Sequence, residues 1–152
     1  MNNYMKLEIA ALGINESFAR SAVAAFALTL NPSLTELSDI KTAVSEAVTN
    51  CIVHAYRGRE ERESCFVYIS VRLYNPAEIS VEISDNGCGI EDVERAMMPM
   101  YTTEESGERC GMGFLVMESF TDKLTVKSRV GKGTTVLMRK NLTHTDKEEY
   151  ER

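Results

Sequence analysis

Ile79, Val81 and Ile83 alternate with Ser80, Glu82 and Ser84, and the run then breaks into Asp85-Asn86-Gly87-Cys88-Gly89-Ile90. A period of two reads as a strand with one buried face, which places Asp85 at the strand's end. Gly87 and Gly89 let the backbone turn at once and approach a ligand with no Cβ in the way. A carboxylate held at such a turn can accept a hydrogen bond from an exocyclic amine such as adenine's. An Asp-x-Gly-x-Gly run alone also fits an ordinary turn after a strand. Its weight depends on what the rest of the chain sets beside it.

With 152 residues there is room for one domain with a sizeable core, expected over 1–142, followed by a polar tail over 143–152. A hydrophobic share of 43% and a charged share of 26% fit a soluble globular protein. The formal charge of −6 argues against unspecific affinity for nucleic acid or an anionic membrane. No apolar run approaches the roughly 20 residues that span a bilayer, and Met1-Asn2-Asn3-Tyr4-Met5-Lys6 lacks a signal-peptide core. Cys51, Cys65, Cys88 and Cys110 form no Cys-x-x-Cys pair, and the chain has 2 histidines. That disfavours a zinc site and fits reduced thiols in a cytoplasm. Cys51, Cys88 and Cys110 read as fillers of small spaces.

In chain order, residues 5–12 predict a first strand, and Asn15 reads as the N-cap of a helix to about Leu30. That helix is apolar on more than one face, with Arg20 the only charge between Ser17 and Leu30. It is either deeply buried or keeps a face for another chain. Ser33-Leu34-Thr35-Glu36 is a capping box, and the helix it opens is expected to reach about Tyr56. Leu37, Ile40, Val44, Ala47, Val48, Cys51 and Ala55 fall on its core face. Glu46, Asn50 and His54 stack along an edge at i, i+4, i+8. Strands over 66–73 and 79–84 are joined by a hairpin at Asn75-Pro76-Ala77-Glu78. A short helix over 91–98, an aperiodic loop over 99–110, a helix from Gly111 to about Phe120 and two strands separated by Gly131-Lys132-Gly133 complete the order. Asp92 and Glu94 suit the first turn of their helix. The pattern predicts an α+β two-layer sandwich: one mixed, mostly antiparallel sheet with helices on one face.

Four segments now share one chemistry: Glu46-x3-Asn50, Asp85-x-Gly87-x-Gly89, Gly107-x3-Gly111-x-Gly113 and Gly131-x-Gly133-Thr134. The amide oxygen of Asn50 suits a Mg²⁺ that keeps several waters and bridges phosphates. Glu46, one turn earlier, can act on a hydroxyl beside that ion as general base. Gly111 and Gly113 lead into a helix N-terminus, where free N–H groups and the dipole favour phosphate. The Thr134 hydroxyl can support Asp85, directly or through a water.

This set resembles the GHKL (Bergerat-fold) ATP-binding superfamily. Ser45-Glu-Ala-Val-Thr-Asn-Cys-Ile-Val-His54, Met100-Tyr-Thr-Thr103 and Glu108-Arg-Cys-Gly-Met-Gly-Phe114 resemble the anti-sigma-factor serine kinases within it. The resemblance implies a Bergerat ATP-binding fold and an ATP-dependent kinase that phosphorylates a serine on an anti-anti-sigma protein. It also implies a homodimer that holds a sporulation sigma factor inactive. By position, it makes Glu46 the base and Asn50 the Mg²⁺ ligand. Asp85 with Thr134 reads adenine in a pocket shaped by Gly87 and Gly89. Gly107, Gly111 and Gly113 hinge and dock a lid whose Arg109 reaches the γ-phosphate. Arg20, ringed by small residues, becomes a partner-binding residue on a side away from the nucleotide. Two rivals differ in class: a histidine-kinase-like ATPase fragment, which needs a phosphoacceptor histidine on a helix pair, and a nucleotide-dependent sequestering module without catalysis, against which Glu46 speaks.

Overall fold

The computed structural model describes residues 2–99 and 113–143. Within them β1 (Asn3–Ala10), β2 (Phe66–Tyr74), β3 (Glu78–Asp85), β4 (Lys123–Arg129) and β5 (Gly133–Asn141) form one sheet, in the order β1-β2-β3-β5-β4. Every pairing is antiparallel, so the expected mixed sheet has no parallel pair among the described residues. The connections explain this. Two helices lie between β1 and β2, so the chain crosses the helical layer twice and re-enters beside the end it left.

The pleat sorts the side chains. Val67, Ile69 and Val71 of β2, Ile79, Val81 and Ile83 of β3, and Val136 and Met138 of β5 are buried. They form one core with α1 (Asn15–Ala27), α2 (Leu34–Asn50) and α4 (Gly113–Phe120). Full burial of one such side chain stabilises by about 1.5–3 kcal/mol. A one-residue slip of β3 would turn its whole row outward. The burial that sets this register therefore also fixes Asp85 on the helix-covered face.

The element ends depart from expectation in instructive ways. β1 begins at Asn3, before the apolar alternation, because Asn3 and Tyr4 still pair with Leu73 and Arg72 of β2. Asn15 is not an N-cap. Ile14 holds that position without a side-chain bond, and the Asn15 amide donates instead to the Ala10 carbonyl at 2.9 Å, tying α1 to the end of β1. After α1 the chain tightens into a 3-10 turn, Leu28–Leu30, and Asn31 closes it at φ 52°. The capping box of α2 is complete, with Glu36 N–H on Ser33 Oγ at 3.1 Å and Ser33 N–H on Glu36 Oε2 at 2.9 Å. α2 stops at Asn50 and the chain continues as one π turn, Cys51–Ala55. The short helix after Ile90 is α3 (Val93–Ala96), which begins later than 91 because Asp92 caps it, accepting from Arg95 N–H at 3.0 Å. Asp39 of α2 pairs with Lys140 of β5 at 3.4 Å. Among the described residues no helix is long and apolar enough to cross a membrane.

Candidate nucleotide site

Burying Ile40, Val44, Ala47 and Val48 leaves Glu46 and Asn50 on an edge of α2, one turn apart. α2 packs against α4, and Gly113 opens α4 opposite that edge. A β-carbon on Gly113 would lie 3.3 Å from Asn50 Oδ1 and 3.3 Å from Glu46 Oε2. An amide oxygen and a carboxylate oxygen thus meet at the first residue of a helix. There the N–H groups lack helical partners and the dipole is positive. His54 does not continue this line: the wider turn after Asn50 interrupts the 3.6-residue period, and His54 Nδ1 lies 3.0 Å from Arg57 Nη2.

Asp85 is 7% exposed. Its Oδ1 accepts N–H bonds from Gly87 at 2.9 Å and Thr134 at 3.3 Å, and its Oδ2 accepts the Cys51 thiol at 3.5 Å. Burial raises its pKa, and these three bonds oppose the rise. Burial also pushes the Cys51 thiol well up, with the neighbouring Asp85 charge adding to the effect. Thr134 supports Asp85 through its backbone N–H rather than its hydroxyl, which instead lies 2.7 Å from Ser128 Oγ.

The turn after β3 is pressed against the π turn. A Cβ on Gly87 would collide with the Ala55 carbonyl, and Cys88 N–H donates to that same carbonyl at 2.8 Å. Gly89, at φ 75°, lies against the backbone of Arg129 and Val130.

Arg20 is 40% exposed and lies 3.7 Å from Glu16, one turn earlier on α1. Glu16 also accepts the Ser45 hydroxyl. Arg20, Lys41, Ser45 and Glu46 line one groove between α1 and α2. Arg20 lies at the α1 side of this groove, and Glu46 is among the α2 residues that line it. Gly107, Arg109 and Gly111 lie outside the described residues.

Sequence reasoning missed three residues. Cys51 bonds Asp85 rather than only filling space. Tyr56, 2% exposed, accepts from Asn86 N–H at 2.9 Å and donates to the Phe66 carbonyl. Ser128 accepts from Ile90 N–H at 2.7 Å. A signal existed for the last: Ser128 follows Leu124 and Val126 at an inward position, where a hydroxyl needs a partner.

The chain is similar to known proteins in sequence and in fold. The family model described as "Histidine kinase-like ATPase domain" matches residues 11–140. An anti-sigma F factor of Caldanaerobacter subterraneus subsp. tengcongensis is 52% identical over 140 residues, covering 91% of this chain and 94% of that one. An anti-sigma F factor of Priestia megaterium is 48% identical over 144 residues, covering 95% and 96%. Among solved structures, the RsbU and RsbW domains of a Mycobacterium tuberculosis protein superpose with a TM-score of 0.68 at 13% identity. That match covers 94% of this chain and 33% of the longer one, and at such identity it speaks to the fold alone.

Proposed function

Because the chain belongs to the anti-sigma F factor family, built on the histidine kinase-like ATPase domain, we propose that it binds and inhibits a sporulation sigma factor and uses Mg-ATP to phosphorylate a serine of its anti-anti-sigma antagonist. The observation that carries the catalytic half is the meeting of Glu46 Oε2 and Asn50 Oδ1 at Gly113.

The donor set there suits Mg²⁺. Both groups offer oxygen, and no cluster of three or more His, Cys, Asp or Glu able to hold a metal occurs among the described residues. Mg²⁺ takes one or two protein oxygens and fills its other positions with water and phosphate. Asn50 would hold the ion, which when bound supplies positive charge to the triphosphate oxygens.

In this reading Asp85 accepts the adenine amine, with Thr134 beside it, and Gly87 and Gly89 shape the pocket by letting its turn pack against the backbone of Ala55 and Arg129. Gly111 and Gly113 offer backbone N–H groups to the phosphates, Gly107 acts as a hinge, and Arg109 reaches the γ-phosphate. Glu46 takes the proton of the substrate serine as its oxygen bonds the γ-phosphorus; the β–γ bridging bond breaks, and ADP leaves with the electron pair. Arg20 anchors a partner's carboxylate at one end of a groove that Glu46 also lines. The protein acts as a homodimer in the cytoplasm.

Incubation with γ-labelled ATP, Mg²⁺ and an anti-anti-sigma protein tests this. The expected product is a phosphoserine on that partner. Nucleotide binding and sigma inhibition without transfer would leave a sequestering module instead.

A further inference from the structure

Ser128 Oγ lies 2.7 Å from Ile90 N, 3.1 Å from the Gly133 carbonyl oxygen and 2.7 Å from Thr134 Oγ1. A serine hydroxyl has one hydrogen and two lone pairs. Ile90 N–H can only donate to it, and the Gly133 carbonyl can only accept from it. All three contacts are satisfied together in a single arrangement: Ser128 donates to Gly133 and accepts from both Ile90 and Thr134. If Ser128 instead gave its hydrogen to Thr134, its oxygen would face the Gly133 carbonyl with lone pairs on both sides. The hydrogen of Thr134 is therefore committed to Ser128, and Thr134 Oγ1 shows only lone pairs to its remaining surroundings.

Thr134 and Asp85 are held side by side, since Thr134 N–H donates to Asp85 Oδ1 at 3.3 Å. An ionised carboxylate is also an acceptor only. To a ligand beside it, this pair of side chains thus offers acceptors and no free donor.

We propose that Ser128 is a specificity-determining positioning residue: by holding the hydrogen of Thr134 it makes that hydroxyl a fixed acceptor beside Asp85, so the pocket takes a 6-amino purine and rejects a 6-oxo purine. A 6-amino group brings two N–H donors to two acceptors, whereas a 6-oxo group brings lone pairs to lone pairs. Released from Ser128, Thr134 rotates and donates to a 6-oxo group. This rests on the reading that Asp85 binds adenine.

Binding of ATP and of ITP, which carries the 6-oxo group, is measured by calorimetry on the wild type and on variants. In Ser128→Ala the preference for ATP over ITP is expected to fall about tenfold, the scale of one misdirected hydrogen bond. Ser128→Thr, which restores the hydroxyl, is expected to keep it. Ser128→Cys, near-isosteric and a poor acceptor, is expected to behave as Ser128→Ala does and serves if that variant does not fold. Thr134→Val should lose the same preference, with no further loss in the Ser128→Ala/Thr134→Val double variant. An unchanged ratio in Ser128→Ala and Ser128→Cys, an equal weakening of both nucleotides, or additive losses in the double variant would overturn the role of Ser128 alone. Equal wild-type affinity for ATP and ITP would instead overturn the adenine reading on which it rests.

Discussion

The hydroxyl of Tyr56 accepts the N–H of Asn86 at 2.9 Å and donates to the carbonyl of Phe66. One side chain at the end of the π turn thereby ties the turn after β3 to the first residue of β2. With Cys88 N–H on the Ala55 carbonyl and the Cys51 thiol on Asp85, the stretch that follows Asn50 is bonded to the stretch that holds Asp85. The separation of these two site residues is set by backbone and buried side chains rather than by surface contacts.

Tyr56→Phe keeps the ring and removes both bonds. The Asn86 N–H and the Phe66 carbonyl lose a partner, which is expected to cost about 1–3 kcal/mol of stability in urea unfolding at unchanged slope. ATP affinity is expected to fall as well, since Asn86 adjoins Asp85. Wild-type stability in Tyr56→Phe would reduce Tyr56 to an apolar filler.

A pair of glycine substitutions separates space from backbone. At Gly87 an added Cβ meets the Ala55 carbonyl, whereas at Gly13 it meets nothing within 4 Å. Gly87→Ala is therefore expected to destabilise by about 1–3 kcal/mol or more. Gly13→Ala is expected to lie within about 0.5 kcal/mol of wild type. Equal melting temperatures for the two variants would contradict the close approach of the two turns.

The parts of this arrangement that follow from local pattern could be read from the chain alone. Ser33 and Glu36 form their capping box within one turn, and the alternation of Ile79, Val81 and Ile83 puts Asp85 at a strand end on the buried side. Glu46 and Asn50 share an edge because α2 buries the adjacent row. What the pattern could not carry depends on distant closure. Tyr56 and Asn86 are 30 residues apart, Cys51 and Asp85 are 34, and Ile90 and Ser128 are 38. The π turn is also silent in sequence, because Cys51-Ile52-Val53-His54-Ala55 contains neither glycine nor proline to mark a change of helical period. Asn15 misled for the opposite reason: its type suits a cap, but the Ala10 carbonyl competes for its amide.

Asp85→Asn tests the buried carboxyl in two ways. At neutral pH ATP affinity is expected to fall by about 1–3 kcal/mol, because the amide sets a donor where the adenine amine needs an acceptor. Stability follows protonation. Burial holds this carboxyl above its ordinary value of 3.8, so the folded protein takes up the proton more readily than the unfolded chain. The stability linked to it is present in full below 3.8 and is lost as pH rises through the folded value. The unfolding free energy of wild type minus that of Asp85→Asn is therefore expected to fall across this window and to level off above it. A flat difference from acid to neutral pH would mean that burial does not perturb the group.

Arg20→Glu reverses the charge at one end of the α1–α2 groove. Within the domain it sets two carboxylates at i, i+4 with Glu16, a cost of about 0.2–0.5 kcal/mol, so fold and ATP affinity are expected to survive. Binding of the sigma factor or of the anti-anti-sigma protein is expected to weaken by about 2–5 kcal/mol if Arg20 is a buried anchor in the complex. Pull-downs of each partner at matched nucleotide decide the matter. Undiminished capture of both would leave Arg20 a solvated charge.

Whether Glu46 takes the serine proton is decided by Glu46→Gln, because glutamine keeps the shape and hydrogen-bonding reach while removing the base. Transfer of labelled γ-phosphate to the anti-anti-sigma protein is measured beside ATP affinity on the same preparation. The expected result is transfer slowed by about 10²–10⁴-fold with ATP affinity close to wild type. Transfer at the wild-type rate would contradict the assignment of Glu46 as the base.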